Sequence, residues 1–498
     1  MRYATDKLRA MGLSFSVIAV RFRRLTHSPT RLFVAVSLIF GIAFIILVPP
    51  FQIPDEYTHF TRAYEVSELK TAHPHREKGV DYLGSMLPAS IHATYKQTSL
   101  HRLIGLPDVP QAKKFRPRQS IHALHIPLNK SEKSFYDTGS TPSYFPFLYL
   151  PQAGVITVLK LLNTPVIVML YATRLMGLVI WLALAVIALR IARPVQRKFA
   201  LVGIMLLPMF VAQASASTDP LINGLVVLYI ALITSDFMQK STPSLLKLTL
   251  LISMVFTMTM SKPVYVAFGL LLLLLPAEQK GFANLWRKGL IMAIPLILFL
   301  AWSVVTTRSG GPYYMDSLAI SNAAPSQQVH HLVPDVFNFV EPFTNTFLLG
   351  WGDNVFTSLI GEFGKLDTPL PLFFVILGYM IILLAVFAGV KEKEETLLSR
   401  NFYSKKKTIL IVTLVAFAYI VGVYLAMYVY STPADAKIIT GIQGRYLLPL
   451  LPLGVLLVAK NALTVKEKFY RVALTVTPVT LLIASLVVVY FRFYILYP

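Results

Sequence analysis

Leu32-Phe-Val-Ala-Val-Ser-Leu-Ile-Phe-Gly-Ile-Ala-Phe-Ile-Ile-Leu-Val48 is an uninterrupted apolar run that ends at Pro49-Pro50. It is long enough to cross the ~30 Å hydrocarbon core of a bilayer as a helix. The 31 residues before it carry seven Lys/Arg and one Asp, with no small-residue cleavage site after the run. That pattern predicts an uncleaved signal anchor with a basic cytoplasmic N-terminus over 1–31. Leu8–Arg24 suits a basic amphipathic helix lying on the membrane surface. Ten more runs follow at 165–189, 199–214, 219–235, 246–261, 263–276, 288–306, 369–390, 408–430, 446–459 and 470–491. The expected fold is therefore all-α and polytopic, with about eleven transmembrane helices in one membrane domain over 32–498.

Composition agrees. Of 498 residues, 55% are hydrophobic and 14% charged, against about 25% charged in soluble domains. The net charge is +22, from 46 Lys+Arg and 24 Asp+Glu. In a membrane protein such an excess points to cytoplasmic loops and not to nucleic acid. The absence of cysteine excludes disulfides, thiolate metal sites and a Cys nucleophile.

Charge also orients the chain. One stretch, 144–162, is apolar but broken by Pro146 and Pro151 and carries Lys160. If it lies at the interface, the N-terminus and the connections 190–198, 236–247, 277–288, 391–407 and 460–471 share one side. Together they hold 26 of the 46 Lys+Arg. If it crosses, Arg190, Arg193, Arg197 and Lys198 fall outside. The bias of Lys/Arg toward cytoplasmic loops selects the interfacial helix, with the N-terminus inside and the C-terminus outside. Two outer segments are then large, 51–143 and 307–368.

The polar motifs all fall on that outer face. Pro54-Asp55-Glu56 stands just after the first run, with His59 and Arg62 at helical spacing from Asp55. The acids read either as capping groups favoured by a helix dipole or as a general base or metal ligand. Asp219 opens a span after Gln213-Ala-Ser-Ala-Ser-Thr, and is either an N-terminal acid or a site residue. Arg174 lies inside the second span, where a charge is costly and functional by default, unless it snorkels to the interface. Lys262 and Arg445 are cations on cation-poor connections. They suit either interfacial anchoring or a lipid-linked phosphate, which an arginine fork grips in a bidentate manner. His73/His75 and His122/His125 lack a zincin spacing and read as solvated loop residues. Among nucleotide and hydrolase motifs, no P-loop, GxGxxG or GxSxG occurs in a usable context, which disfavours an ATP-driven transporter.

Pro54-Asp55-Glu56 with His59 and Arg62, the Gln213–Asp219 stretch, Lys262 and Gly441-Ile-Gln443-Gly-Arg445-Tyr446-Leu-Leu-Pro449 resemble a large family of bacterial polytopic membrane proteins known by a domain-of-unknown-function label. That family is placed with the C-type (GT-C) glycosyltransferases. The resemblance spans about 35–490. It implies a bacterial plasma-membrane transferase that moves a sugar from a polyprenyl-phosphate donor to a cell-envelope glycan on the outer face, with inversion. In that reading Asp55 is the base and Glu56 its alternative. Arg445, Lys262 and Arg174 hold the donor phosphate, and His59, Arg62, Gln213, Asp219, Gln443 and Tyr446 complete the site. Asp55, Glu56 and Asp219 would ligate Mg²⁺ or Mn²⁺ if a metal is used. The rival classes are a flippase or transporter of a lipid-linked glycan, which Arg174 and the broken helices would suit, and a non-catalytic scaffold of envelope synthesis.

Overall fold

Among the described residues of the computed structural model, four helices are long and apolar enough to cross a membrane: Pro29–Leu47, Val166–Ile191, Lys406–Ser431 and Glu467–Ile495. Shorter apolar helices cover Pro146–Leu161, Asp219–Ser235, Leu245–Ser261, Pro263–Leu274, Ala293–Thr306 and Leu372–Phe387. The structure describes residues 28–70, 73–77, 80–98, 100, 114–138, 141–192, 195–239, 243–275, 282–310, 325–349, 355–389, 406–433, 436–455 and 463–496. The amphipathic helix expected over Leu8–Arg24 lies outside them, as do large parts of the connections whose charge set the orientation.

The first helix, α1 (Pro29–Leu47), starts where Ser28 Oγ accepts the Arg31 amide and Pro29 occupies the first turn, an arrangement that satisfies otherwise orphaned amides. Phe33, Ser37 and Phe44 face inward, whereas Leu38, Ile39 and Ile46 are exposed. The same two-sidedness recurs on the other long helices, where Val179, Leu410, Phe417, Val476 and Ile483 point outward. Apolar faces this extensive are stable only in lipid.

A short helix, α2 (Glu56–Ser67), follows the first turn. The segment beyond it contains a feature absent from the helical expectation, an antiparallel sheet of β1 (His73–Glu77), β2 (Val80–Pro88) and β3 (Lys133–Asp137) in that order. Gly84 sits opposite His73 on one side and Asp137 on the other. A Cβ there would stand 1.9 Å from the Tyr136 carbonyl oxygen, so only glycine fits. Along β2, residues 83–85, 87 and 88 are buried and only Met86 is exposed.

Within 144–162 the structure forms α3 (Leu150–Leu161). Twelve residues at 1.5 Å each reach about 18 Å, short of a bilayer. Lys160 Nζ donates to the Ser67 carbonyl (3.1 Å), and Lys130 Nζ to Asn163 Oδ1 (2.8 Å). Just before α3, the Phe145 amide donates to Met260 O (3.3 Å). Both ends of the segment thus touch the end of the bundle that bears residues 51–143.

Further helices include α4 (Val166–Ile191), α5 (Asp219–Gln239), α6 (Leu245–Ser261), α7 (Leu372–Phe387), α8 (Lys406–Ser431) and α9 (Glu467–Tyr490), with Phe282–Gly310 between α6 and α7. Two expected runs are not single helices. Over 199–214 a helix ends at Met205 and a short one starts at Pro208, because Pro208 lacks an amide and holds Leu207 extended. Over 446–459, Pro449 and Pro452 leave a 3₁₀ turn at Gly444–Leu447 and a one-turn helix at Leu450–Leu453. The run after α6 is a 3₁₀ helix, Pro263–Leu274.

Candidate functional site

The chain must reverse direction directly after α1, and it does so through two strained residues. Phe51 and Asp55 both have φ of 59°, the left-handed region that costs a non-glycine residue about 1–2 kcal/mol. A buried ion pair holds the turn. Arg174 donates through Nε (2.7 Å) and Nη2 (2.6 Å) to the two carboxylate oxygens of Glu56. Its remaining donors go to the carbonyls of Ile45, Val48 and Pro49 at 2.7–3.0 Å. Glu56 also accepts the Phe51 amide (3.0 Å). The bidentate fork ties α4 to the end of α1 and to the first turn of α2. It also explains why Arg174 tolerates its depth: every direction it points offers an acceptor.

With Glu56 turned inward, Asp55 turns outward. Arg445 Nη2 donates to Asp55 Oδ2 at 3.1 Å, and Arg445 Nη1 stands 3.7 Å from Asp219 Oδ2. Lys262 Nζ reaches the other Asp219 oxygen at 3.8 Å. Gln443 Oε1 accepts from Arg445 Nε. Tyr446 lies beneath both cations, 4.9 Å from Lys262 Nζ and 5.3 Å from Arg445 Cζ, within cation–π range. Exposure is graded across the cluster, with Arg445 at 13%, Lys262 at 29% and Asp55 at 63%. The cations are held from below while the Asp55 carboxylate stays reachable.

Gly444 sets the height of the arginine. A Cβ there would meet the Leu359 nitrogen at 2.2 Å and the Val355 oxygen at 2.4 Å. The Gly444 amide donates to Ser358 Oγ (2.7 Å). The loop before the 3₁₀ turn therefore lies flush on the helix Val355–Ile360, and Arg445 projects away from it.

Beneath the cluster, a cleft lined by Gln213, Ser217, Asp219, Asn223, Glu362 and Arg445 among others encloses about 620 Å³, its open mouth included. His59 is buried and shares a 2.7 Å hydrogen bond with the Tyr149 hydroxyl. Burial pushes its imidazole down to about 4, against the pull of Asp55 and Asp219. It is neutral at pH 7. Glu362 stands on a two-residue hairpin, Glu362–Phe363 against Thr368–Pro369. Burial, then Asp367, pushes its carboxyl up to about 7.

The structure thus brings Asp55, Asp219, Lys262, Gln443, Arg445 and Tyr446 into one cluster, with Gln213 lining the cleft under it. It does not bring Arg174 or Glu56 there, because they satisfy each other, nor Arg62, which is buried in an ion pair with Glu65. The carboxylates offered as metal ligands do not converge for the same reason: Glu56 faces Arg174, while Asp55 and Asp219 face Arg445. Among the described residues no group of three or more His, Asp or Glu forms a metal cage. His122 and His125 are exposed. Glu362, Asn223 and Tyr149 were given no role from sequence. Asn223 could have been found, since it lies four residues after Asp219 on the same helical face.

These features define a polytopic helical membrane protein with a polar, cation-bearing cleft at one end of its bundle. The chain belongs to a family described as predicted membrane protein (DUF2142), whose model matches residues 38–454. No curated protein matches it. Among solved structures, it is similar to ArnT from Cupriavidus metallidurans bound to undecaprenyl phosphate, at 13% identity and a TM-score of 0.38. That alignment covers 85% of this chain and 58% of the ArnT chain, so the protein spans little more than half the length of its neighbour.

Proposed function

We propose that the protein is a GT-C-type membrane glycosyltransferase that moves a sugar from a polyprenyl-phosphate donor to a cell-envelope glycan at the outer face of the bacterial plasma membrane. The observation that carries this reading is the convergence of Arg445 and Lys262 on Asp219 with Asp55 at the edge of Arg445. A donor tail lies in the bilayer and brings its phosphate to the level of the cluster. There Arg445 and Lys262 offset the charge that develops on the leaving group. The acceptor hydroxyl attacks the anomeric carbon, the bond from that carbon to the phosphate oxygen breaks, and Asp55 takes the hydroxyl proton. Attack opposite the leaving group inverts the anomeric configuration.

The resting ion pair has a consequence for timing. While Arg445 holds Asp55, one carboxylate oxygen is engaged. A phosphate on Arg445 competes for the guanidinium and frees Asp55 as the donor arrives. Glu56 and Arg174 are positioning residues in this scheme, since they fix the turn that presents Asp55. The polar groups gather at one end of the bundle and not at its middle, which favours transfer over transport.

Transfer of a labelled sugar from a polyprenyl-phosphate donor by the purified protein in vesicles tests the reading, and absence of product with a panel of such donors would overturn it. Arg445→Lys keeps the charge but loses the planar fork. Donor KM should rise at least tenfold while the variant inserts and purifies normally. Unchanged KM would reduce Arg445 to a loop anchor.

A further inference from the structure

The cleft contains two polar atoms that the protein itself does not satisfy. Glu362 is only 6% exposed, and its Oε2 has no hydrogen-bond partner. Gln213 Nε2 is likewise buried and unpartnered. Both residues line the same space. The Gln213 amide is held in place, because its Oε1 accepts from Asn223 Nδ2 at 2.6 Å, which leaves the Nε2 donor aimed elsewhere. The side chains that carry this unmet acceptor and this unmet donor therefore line one cleft. Buried polar groups are otherwise almost always paired, and a buried carboxyl without a partner destabilises the fold. Retention of both is explained by a ligand that supplies the missing partners.

The ligand must both donate and accept, which hydroxyl groups do. The remaining walls, among them Met209, Phe363 and Leu448, suit the C–H faces of a ring. Phe363 is held in place by stacking on Phe44, with ring centres 5.4 Å apart. Asp219 and Arg445 line the cleft as well, so a ring in it adjoins the cation cluster.

We infer that Glu362 and Gln213 form a hydroxyl-recognition pocket for a neutral sugar ring, the glycosyl unit that the cluster above handles. The inference rests on the transferase reading and adds a specificity: a ring carrying a carboxylate is disfavoured by the Glu362 carboxyl, and a ring bearing hydroxyls only is admitted. Burial holds that carboxyl near neutrality, which lets it either accept or share a proton with a hydroxyl.

The test separates recognition from transfer. Saturation-transfer NMR on the purified full chain in detergent, with methyl hexopyranosides and a methyl glucuronide as probes, should show the neutral glycosides binding and the glucuronide at least tenfold weaker. Glu362→Gln and Gln213→Leu should each weaken neutral glycosides about tenfold or more, and Glu362→Gln should narrow the gap to the glucuronide. Melting of Glu362→Gln should equal or exceed wild type, because the variant removes an unpaired buried acid. Glu362→Asp withdraws the carboxylate by one methylene and keeps its charge; it should also lose affinity at unchanged melting temperature. No binding of neutral glycosides to wild type, or wild-type binding by Glu362→Gln and Glu362→Asp, overturns the pocket. Labelled-donor transfer run alongside tells the two failures apart. Wild-type transfer with an unaltered donor KM in Glu362→Gln sinks the pocket and leaves the transferase. Glycoside binding that depends on Glu362, without any transfer, does the reverse.

Discussion

Asp55 exposes 63% of its side chain, while Glu56, the next residue, is enclosed in a bidentate pair with Arg174. Substitutions at the two should fail differently. Asp55→Asn keeps the shape but cannot take a proton at neutral pH. Transfer should fall by roughly 10²–10⁴-fold at near-normal melting temperature. Glu56→Gln leaves Arg174 buried beside a neutral amide, and removing one partner of such a pair costs about 3–5 kcal/mol. A melting point well below wild type is expected for it, and melting curves of the two variants decide the matter. Retained transfer in Asp55→Asn would dismiss the base. His59 makes a second, pH-dependent claim. Its folded value of about 4 lies below the ordinary 6.5, so its contribution is complete above pH 6.5. Between 6.5 and 4 the unfolded chain binds a proton that the folded chain refuses, and stability falls by up to about 3 kcal/mol. Glu362, shifted upward to about 7, acts with the opposite sign over 7 to 4.5. His59→Asn should therefore lose less stability than wild type between pH 7 and 5. Equal losses would mean that His59 does not govern the acid limb.

At the scale of elements, what the sequence revealed and what it hid have physical reasons. Asp55, Asp219, Lys262 and Arg445 stand out because each is a charge at the edge of an apolar run, and such edges collect at one end of a bundle. The pairing of Glu56 with Arg174 was not legible. It joins residues 118 positions apart, and no spacing rule reaches that far. The breaks at Pro208 and Pro449 were marked in the sequence, yet the apolar composition around them reads as continuous span. The sheet around Gly84 lies in a segment dominated by charged and loop-forming residues, where no apolar alternation marks a strand. Glu362 carried no signal in the sequence analysis, and only the fold shows that its Oε2 is buried without a partner. The element with the least freedom is the turn at Gly444, which rests on the backbone of Val355–Ile360. Gly444→Ala drives a Cβ into main-chain atoms at 2.2 and 2.4 Å, and overpacking of this kind costs about 1–3 kcal/mol. The loop must lift and carry Arg445 with it. Lower melting temperature together with weaker donor binding is expected. A loss of stability with unchanged donor KM would show that Arg445 does not depend on the turn.

For the whole molecule, the question is which way the cleft faces. Lys130 Nζ bonds both the Lys160 carbonyl and Asn163 Oδ1 at 2.8 Å. The first long segment and the turn after α3 therefore lie at the same end of the bundle. So does the cation cluster, because Phe145, just ahead of α3, bonds Met260 two residues before Lys262. The expectation from loop charge places the Lys/Arg-rich connections in the cytoplasm, and so predicts that this end faces outside. The chain has no cysteine, so single cysteines report without background. Cysteines at Ser131 and Asn163 should both react with a membrane-impermeant thiol reagent in intact cells. A cysteine at Ser399, which lies outside the described residues, should react only after permeabilisation. Reaction at 131 but not at 163 would contradict the contact through Lys130. Reaction at 399 alone would turn the protein over. The cleft would then face the cytoplasm, where nucleotide-activated sugars are at hand, and a polyprenyl-linked donor would lose its rationale.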